Sequence, residues 1–167
     1  MDKATQSKEA LSKSFLQLLK KKEYSKITIQ DIVDNANVSR MAFYRNFNDK
    51  SEIIEYYLDK INDDFIANTK IDYNKNTLSE YFSILIKHLV NHKEIGLILV
   101  QANLFDYKRA EFDRVLSIKA KNKQEIFNYY FLSGGMCNIY YYWLTNGCKE
   151  NTEELISIFT NILKQKI

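Results

Sequence analysis

The feature that most constrains the fold is the scarcity of residues that interrupt a helix. The chain of 167 residues has no proline and only 4 glycines, so it lacks the turn residues that a protein of many short strands requires. Apolar residues recur three and four positions apart along the whole chain, which is the spacing of an apolar face on an α-helix. The pattern predicts an all-α fold of about nine helices.

Composition and terminal sequence narrow the class of protein further. The content of 46% hydrophobic and 27% charged residues is typical of a folded globular chain. Two cysteines do not make a disulfide framework, and no apolar run approaches the ~20 residues of a membrane span. Residues 1–13 are polar and lack the apolar core of a secretory signal. We therefore expect a soluble, cytoplasmic protein with no membrane partner and no cofactor.

Residues 27–50 are typical of two short helices around a tight turn. Thr28 is a natural N-cap, and the apolar residues that follow it fall at i, i+3, i+4 and i+7 on one helix face. Asn37 lies where the chain must turn, because Asn tolerates the left-handed backbone conformation. Ser39 caps the second helix, whose two phenylalanines, four residues apart, face back onto the first.

The outward face of this second helix is a polar and basic ridge about two turns long, which fits the major groove of B-DNA. Its residues are Arg40, Met41, Ala42, Tyr44 and Arg45. The charge distribution agrees with this use, since residues 1–50 carry 10 Lys and Arg against 6 Asp and Glu, whereas residues 51–167 carry 14 against 15. A basic first third suits contact with phosphates.

The run ITIQDIVDNANVSRMAFYRNFNDKSEII resembles the DNA-binding signature of the TetR/AcrR family of transcriptional regulators. The shared features are an apolar–Thr helix start, a turn ending in Val-Ser, an aromatic–Tyr pair, a Phe and a Lys. Asn37 stands where the family usually has Gly, and Asn can adopt the same conformation. The resemblance implies a helix-turn-helix head of three helices, residues 1–50, and a helical ligand-binding and dimerisation domain, residues 51–167.

The resemblance also implies which side chains meet DNA on a near-palindromic, double-stranded operator. Those expected at or near bases are Gln30, Arg40, Met41 and Tyr44. Those expected at the DNA backbone are Thr28, Ser39, Asn46 and Lys50, and the ridge adds Ala42 and Arg45. Physical reasoning agrees for Arg40, whose guanidinium can take O6 and N7 of a guanine. It agrees for Lys50 too, because a cation beside a helix N-terminus can face a phosphate.

The last two predicted helices are too apolar for one small domain to cover, which indicates a homodimer built on a four-helix bundle. Dimerisation through these helices is also what the resemblance implies. The residues expected at the dimer interface are Gly134, Gly135, Trp143, Ile156, Phe159 and Leu163, with the glycines allowing a close helix approach. The run YYYWLTNGCKENTEELISIF also resembles the C-terminal region of small TetR-type regulators from low-GC Gram-positive bacteria.

Aromatic residues are dense between positions 127 and 143, where they either pack in the core and interface or line a cavity. The resemblance favours a pocket among the middle helices for an unidentified small-molecule effector. The residues expected to line it are Leu85, Leu89, Leu99, Phe105, Phe112, Tyr130 and Tyr140. His88 and His92 share a helix face, but no third ligand completes a metal site. We therefore expect no bound metal.

No phosphate-binding loop, nucleophile–base arrangement or carboxylate pair marks an enzyme. The expected function is sequence-specific DNA binding by a transcriptional regulator, a repressor released by a small-molecule ligand. The alternative is a coregulator or architectural protein of the same fold that acts through a protein partner. The intact basic ridge favours direct DNA binding over that alternative.

Overall fold

The computed structural model describes residues 3–69, 77–117 and 122–166, and these ranges are helical with no β-strand. They contain nine α-helices, which confirms the predicted all-α fold. The bounds are α1 Lys3–Leu19, α2 Ile29–Ala36, α3 Arg40–Asn46, α4 Ser51–Thr69, α5 Leu78–Asn91, α6 Lys93–Gln101, α7 Phe105–Ser117, α8 Lys123–Thr145 and α9 Thr152–Lys166. A loop predicted at about residues 70–76 lies outside the described ranges.

Side-chain caps determine where several helices begin. At α5, Thr77 Oγ1 accepts the backbone N–H of Glu80, while the Glu80 carboxylate accepts the N–H of Thr77 at 2.8 Å. At α9, Asn151 Oδ1 accepts the N–H of Glu154 at 3.0 Å. These reciprocal bonds satisfy N–H groups that have no partner inside a helix. At the C-terminal end of α8, Gly147 adopts a φ of 82° and ends the helix.

Buried apolar residues form two clusters. The first lies among α1, α2, α3, the first half of α4 and one face of α6, with Phe15, Phe43 and Leu99 fully buried. The second lies among α5, α7, α8 and α9 and includes Phe65 from the second half of α4. We call the two parts the head and the body. Both α4 and α6 contribute to the head while continuing into the body, so these two helices join them.

One glycine allows a close helix approach within the chain. A Cβ built on Gly96 of α6 would lie 2.6 Å from Tyr140 Oη and 2.8 Å from Leu144 Cδ1, both on α8. The Tyr140 hydroxyl donates to the carbonyl oxygen of Leu89 at 3.3 Å. Any side chain at position 96 would displace this buried tyrosine. Gly96 was not singled out from the sequence, because an isolated glycine has no pattern that names its neighbour.

Candidate nucleic-acid interface

The start of α2 is held by a capping box. Thr28 Oγ1 accepts the N–H of Asp31 at 3.1 Å, and Asp31 Oδ2 accepts the N–H of Thr28 at 2.8 Å. Lys22 reaches the other carboxylate oxygen at 2.9 Å. The Thr28 backbone bond, followed by the bond from Lys22, lowers the pKa of Asp31 to about 2. The carboxylate therefore stays ionised and fixes the entry of the chain into the helix-turn-helix.

The turn between α2 and α3 depends on a left-handed residue. Asn37 has φ 53° and ψ 46°, a conformation that few residues other than Gly adopt at low cost. The N–H of Val38 then reaches back to the carbonyl oxygen of Val33 at 3.1 Å. This closure is the Schellman pattern that ends a helix. Asn thus provides the sharp turn that the sequence predicted.

The recognition ridge lies on α3, which Ser39 caps through a 3.1 Å bond from the N–H of Ala42. Phe43 is fully buried against the head core and sets the rotation of the helix. Met41 and Tyr44 are consequently 68% and 51% exposed. We define the recognition ridge as the exposed side chains of α3, namely Arg40, Met41, Tyr44 and Arg45.

Two contacts preorganise the ridge. The Arg40 guanidinium lies 5.7 Å from the centre of the Tyr44 ring, and its Nη2 donates to Tyr44 Oη at 3.3 Å. Arg45 Nε lies 3.4 Å from the carbonyl oxygen of Met41. Both guanidinium groups remain exposed, so they can meet bases or phosphates with part of their donor set unused.

The other residues predicted to contact DNA have side chains that already form hydrogen bonds within the chain. Asn46 Nδ2 donates to the carbonyl oxygen of Ala42 at 2.7 Å, inside its own helix. Gln30 Nε2 donates to Asp34 at 2.7 Å on the exposed side of α2. Thr28 and Ser39 use their hydroxyl groups as N-caps, although both residues are exposed. Each of these side chains is therefore held by a bond within its own helix or helix cap.

Lys50 is placed differently from the expectation. Its Nζ donates to the carbonyl oxygens of Tyr24 at 2.7 Å and Ile27 at 2.8 Å, and it lies 4.2 Å from the centre of the Tyr24 ring. Burial lowers the pKa of this ammonium group. The phosphate contact expected of this cation stays a prediction. Within the chain, Lys50 ties the segment before α2 to the start of α4.

The predicted effector pocket is largely filled. Five of its seven residues lie in the body core, namely Leu85, Leu89, Phe105, Phe112 and Tyr140. The cavity beside Leu89 and Tyr140 has a volume of only about 10 Å³, about the space of one water. The other two lie elsewhere, since Leu99 belongs to the head core and Tyr130 is 52% exposed.

The predicted dimer interface divides into buried and accessible residues. Trp143 and Phe159 are only 3% and 7% exposed within a single chain, so packing against a second copy cannot bury them much further. Their place at the dimer interface stays a prediction. Gly135 is exposed, and a Cβ on either Gly134 or Gly135 would meet nothing within 4 Å. The large apolar side chains left exposed on α8 and α9 are Ile126, Phe127, Tyr130, Phe131, Tyr141, Tyr142, Ile158 and Ile162.

The paired histidines lie at the edge of the body. The His88 ring is 4.6 Å from the His92 ring and 4.3 Å from the Phe65 ring, centre to centre. Burial, followed by the charges of His92 and Lys108, lowers the pKa of His88 to about 4. In the described ranges, no three His, Cys, Asp or Glu side chains are placed to hold a metal ion.

Comparison with protein families finds two matches that together span most of the chain. Residues 16–57 match the family described as "Bacterial regulatory proteins, tetR family", and residues 76–165 match "Transcriptional regulator C-terminal region". A curated relative is the "Uncharacterized HTH-type transcriptional regulator YxbF" of Bacillus subtilis (strain 168), 28% identical over 95 residues. That alignment covers 53% of this chain but only 25% of the relative.

Three solved structures share the fold. The dihydroxyacetone kinase operon activator DhaS aligns with TM-score 0.62 and 17% identity, covering 96% of each chain. A TetR transcriptional regulator from Streptococcus agalactiae 2603V aligns with TM-score 0.65 and 24% identity, covering 95% of this chain and 94% of that one. The fatty acid degradation regulator FadR from Bacillus halodurans aligns with TM-score 0.59 and 15% identity, covering 98% of this chain and 95% of that one. At these identities the likeness is one of fold.

Among the helices that the structure describes, none combines the length and the apolar character of a membrane span.

Proposed function

Since the chain belongs to the TetR family of bacterial regulatory proteins, whose members are non-enzymatic DNA-binding proteins, we propose that it represses transcription from a near-palindromic operator. In this proposal two copies bind together, and a small-molecule effector releases them. The residues proposed to touch DNA are those predicted from the sequence, except that Lys50 acts indirectly by holding the head together.

The observation that carries the proposal is the recognition ridge. Four neighbouring side chains of α3, two of them arginines, are exposed on a helix whose opposite face is anchored by the buried Phe43. A rigid helix with a basic outer face is suited to the major groove, where Arg can read guanine through paired hydrogen bonds. Because α3 is only seven residues long, from Arg40 to Asn46, one copy reads a short half-site.

The dimer follows from what a single chain leaves uncovered. Besides its exposed apolar side chains, α8 has two glycines where an added Cβ would lie within 4 Å of no described heavy atom. An apolar surface of this kind is typical of a protein interface. We propose that α8 and α9 pair with their copies around a two-fold axis, which sets two recognition helices about one helical turn of DNA apart, roughly 34–36 Å.

The proposed effector acts on the body, whose cavity beside Tyr140 has room for only about one water. A ligand that enters must therefore displace packed side chains and favour a second arrangement of the body. Two helices can carry that change, since α4 and α6 each contribute buried residues next to the head. The shift alters operator affinity only as far as the ligand prefers one arrangement over the other.

The test is selection of bound duplexes from fragmented genomic DNA with the purified protein, repeated over a series of salt concentrations. The proposal expects a palindromic motif, bound more tightly than competitor DNA, with affinity that falls steeply as salt rises. A reporter gene behind that motif then gives the sign of regulation. Expression that rises when the protein is present would show that it activates transcription rather than represses it. Weak binding that no sequence outcompetes would instead favour action through a protein partner.

A further inference from the structure

An open groove lies at the junction of the head and the body. It has a volume of about 500 Å³ and is bounded by α1, α4 and the corner between α5 and α6. This volume falls in the range of small-molecule sites, and it is far larger than the cavity of about 10 Å³ beside Tyr140. We call it the junction groove.

Cations outnumber anions around the junction groove. Its lining includes Lys13, Lys20 and Lys60 but only two carboxylates, those of Glu9 and Glu94. Each carboxylate is already engaged, because Lys60 pairs with Glu9 and Lys20 pairs with Glu94. One pair joins α1 to α4, the other joins Lys20, the residue after α1, to α6, and both are substantially exposed.

Lys13 is the remaining cation and lies between those pairs along α1. Its side chain is exposed, and within the described ranges it joins no ion pair. Glu9 and Lys20 are eleven positions apart, which corresponds to roughly 16 Å along a helix. The groove is therefore bracketed by ion pairs near both ends of its α1 wall, with Lys13 between them.

The floor of the groove is apolar and its inner wall is polar. Leu16, Ile95 and Ile98 are each less than 10% exposed and line the floor. His92 lies in the wall, and burial followed by the charge of Lys108 lowers its pKa. A neutral imidazole can donate a hydrogen bond to an anion without adding a charge of its own. The charge of Lys108, which is only 5% exposed and pairs with Glu111 at 2.5 Å, is opposed at His92 by the charge of Asp64.

We propose that the junction groove binds a small organic anion, with its acidic group at Lys13 and Lys20 and its apolar part on Leu16, Ile95 and Ile98. The occupant touches α1 and α4 of the head together with α6. This site is separate from the body pocket proposed for the effector, so it stands whether or not that pocket binds a ligand.

The probe is 8-anilino-1-naphthalenesulfonate, an anion with an apolar body whose fluorescence rises on binding. N-phenyl-1-naphthylamine is its uncharged counterpart. Titrations compare the full chain, the double variant K13Q/K20Q and the matched control K21Q/K26Q. Each double variant removes two exposed lysines and one exposed ion pair, since Lys26 pairs with Glu23. Neither Lys21 nor Lys26 lines the groove.

The proposal expects saturable binding of the sulfonate that weakens at least fivefold in K13Q/K20Q and less than twofold in K21Q/K26Q. Binding of the uncharged dye should be the same in both variants. Three outcomes would overturn the proposal. These are equal weakening in the two variants, loss of the uncharged dye along with the anion, and absence of saturable sulfonate binding to the full chain.

Discussion

The ammonium nitrogen of Lys50 lies 2.8 Å from the carbonyl oxygen of Ile27, twenty-three positions earlier in the chain. Together with the bond to the Tyr24 carbonyl, this contact joins the start of α4 to the segment that leads into α2. A cation that donates to two carbonyl groups stabilises them in place of water. The geometry of the head therefore depends on a side chain that the sequence assigned to DNA.

Replacing Lys50 by methionine should lower the free energy of unfolding by about 1–2 kcal/mol, because two part-buried carbonyl groups lose a charged donor. Urea denaturation measures this, and Lys26→Met is the control, since Lys26 is exposed and pairs only with Glu23 nearby. The salt dependence of DNA binding should stay unchanged in K50M. Unchanged stability with a slope reduced by about one charge per half-site would restore the phosphate role.

Gly96→Ala should destabilise the protein by about 1–3 kcal/mol, the usual range for overpacking a filled core. The added methyl group would overlap the Tyr140 hydroxyl and Leu144. The comparison is Gly134→Ala under conditions where the protein is monomeric, because that Cβ meets nothing. Alanine there should be neutral or stabilising by up to about 1 kcal/mol, as in an open helix. Equal effects of the two changes on thermal unfolding would refute the close approach of α6 to α8.

Gly135→Leu tests the proposed dimer. The leucine fits the isolated chain, since nothing lies within 4 Å of a Cβ there, but it would keep a partner helix from approaching closely. We expect sedimentation equilibrium to show a weakened dimer with a helical content equal to that of the parent. The control is Ala110→Leu, which enlarges another exposed small residue in a helix. A dimer of undiminished affinity in G135L would remove this surface from the interface.

Stability should fall as pH decreases from about 6.5 towards 4. The pKa of His88 is lowered to about 4 in the folded chain, so the unfolded chain takes up a proton first and acidification favours unfolding. The part of the slope due to His88 should stay below about 1.4 kcal/mol per pH unit, the limit for one proton. Subtracting the profile of H88Q isolates this group from His92, whose pKa is also lowered. Parallel profiles for the two proteins would mean that His88 does not titrate in this window.

Sequence spacing was sufficient to predict a residue's role where that residue interacts with its neighbours along the chain. Thr28 and Ser39 cap their helices, Asn37 turns the chain and Phe43 is buried, all as the spacing predicted. The same helical spacing predicted helices over residues 78–91 and 152–166, and these are the observed bounds of α5 and α9. Each of these features needs only the residues within one or two turns.

The sequence could not decide which partner an apolar residue meets. Helix α8 carries aromatic residues on every side, so helical periodicity does not separate the face that meets its own chain from the face left open. Trp143 was therefore assigned to an interface although it is buried, and Tyr130 to a pocket although it is exposed. The bonds of Lys50 within the chain were missed for a related reason, because its carbonyl partners lie 23 and 26 positions away.

The most direct test of the central claim, that the exposed face of α3 reads bases, is selection from a random duplex library with the parent protein and with Arg40→Ala. Arg40 and Tyr44 form the core of the recognition ridge, and a paired Arg–guanine contact contributes ~1–3 kcal/mol of discrimination. We predict that R40A loses preference at one base pair in each half-site and keeps the remaining motif and its spacing. An identical motif for both proteins would contradict the placement of α3 in the major groove.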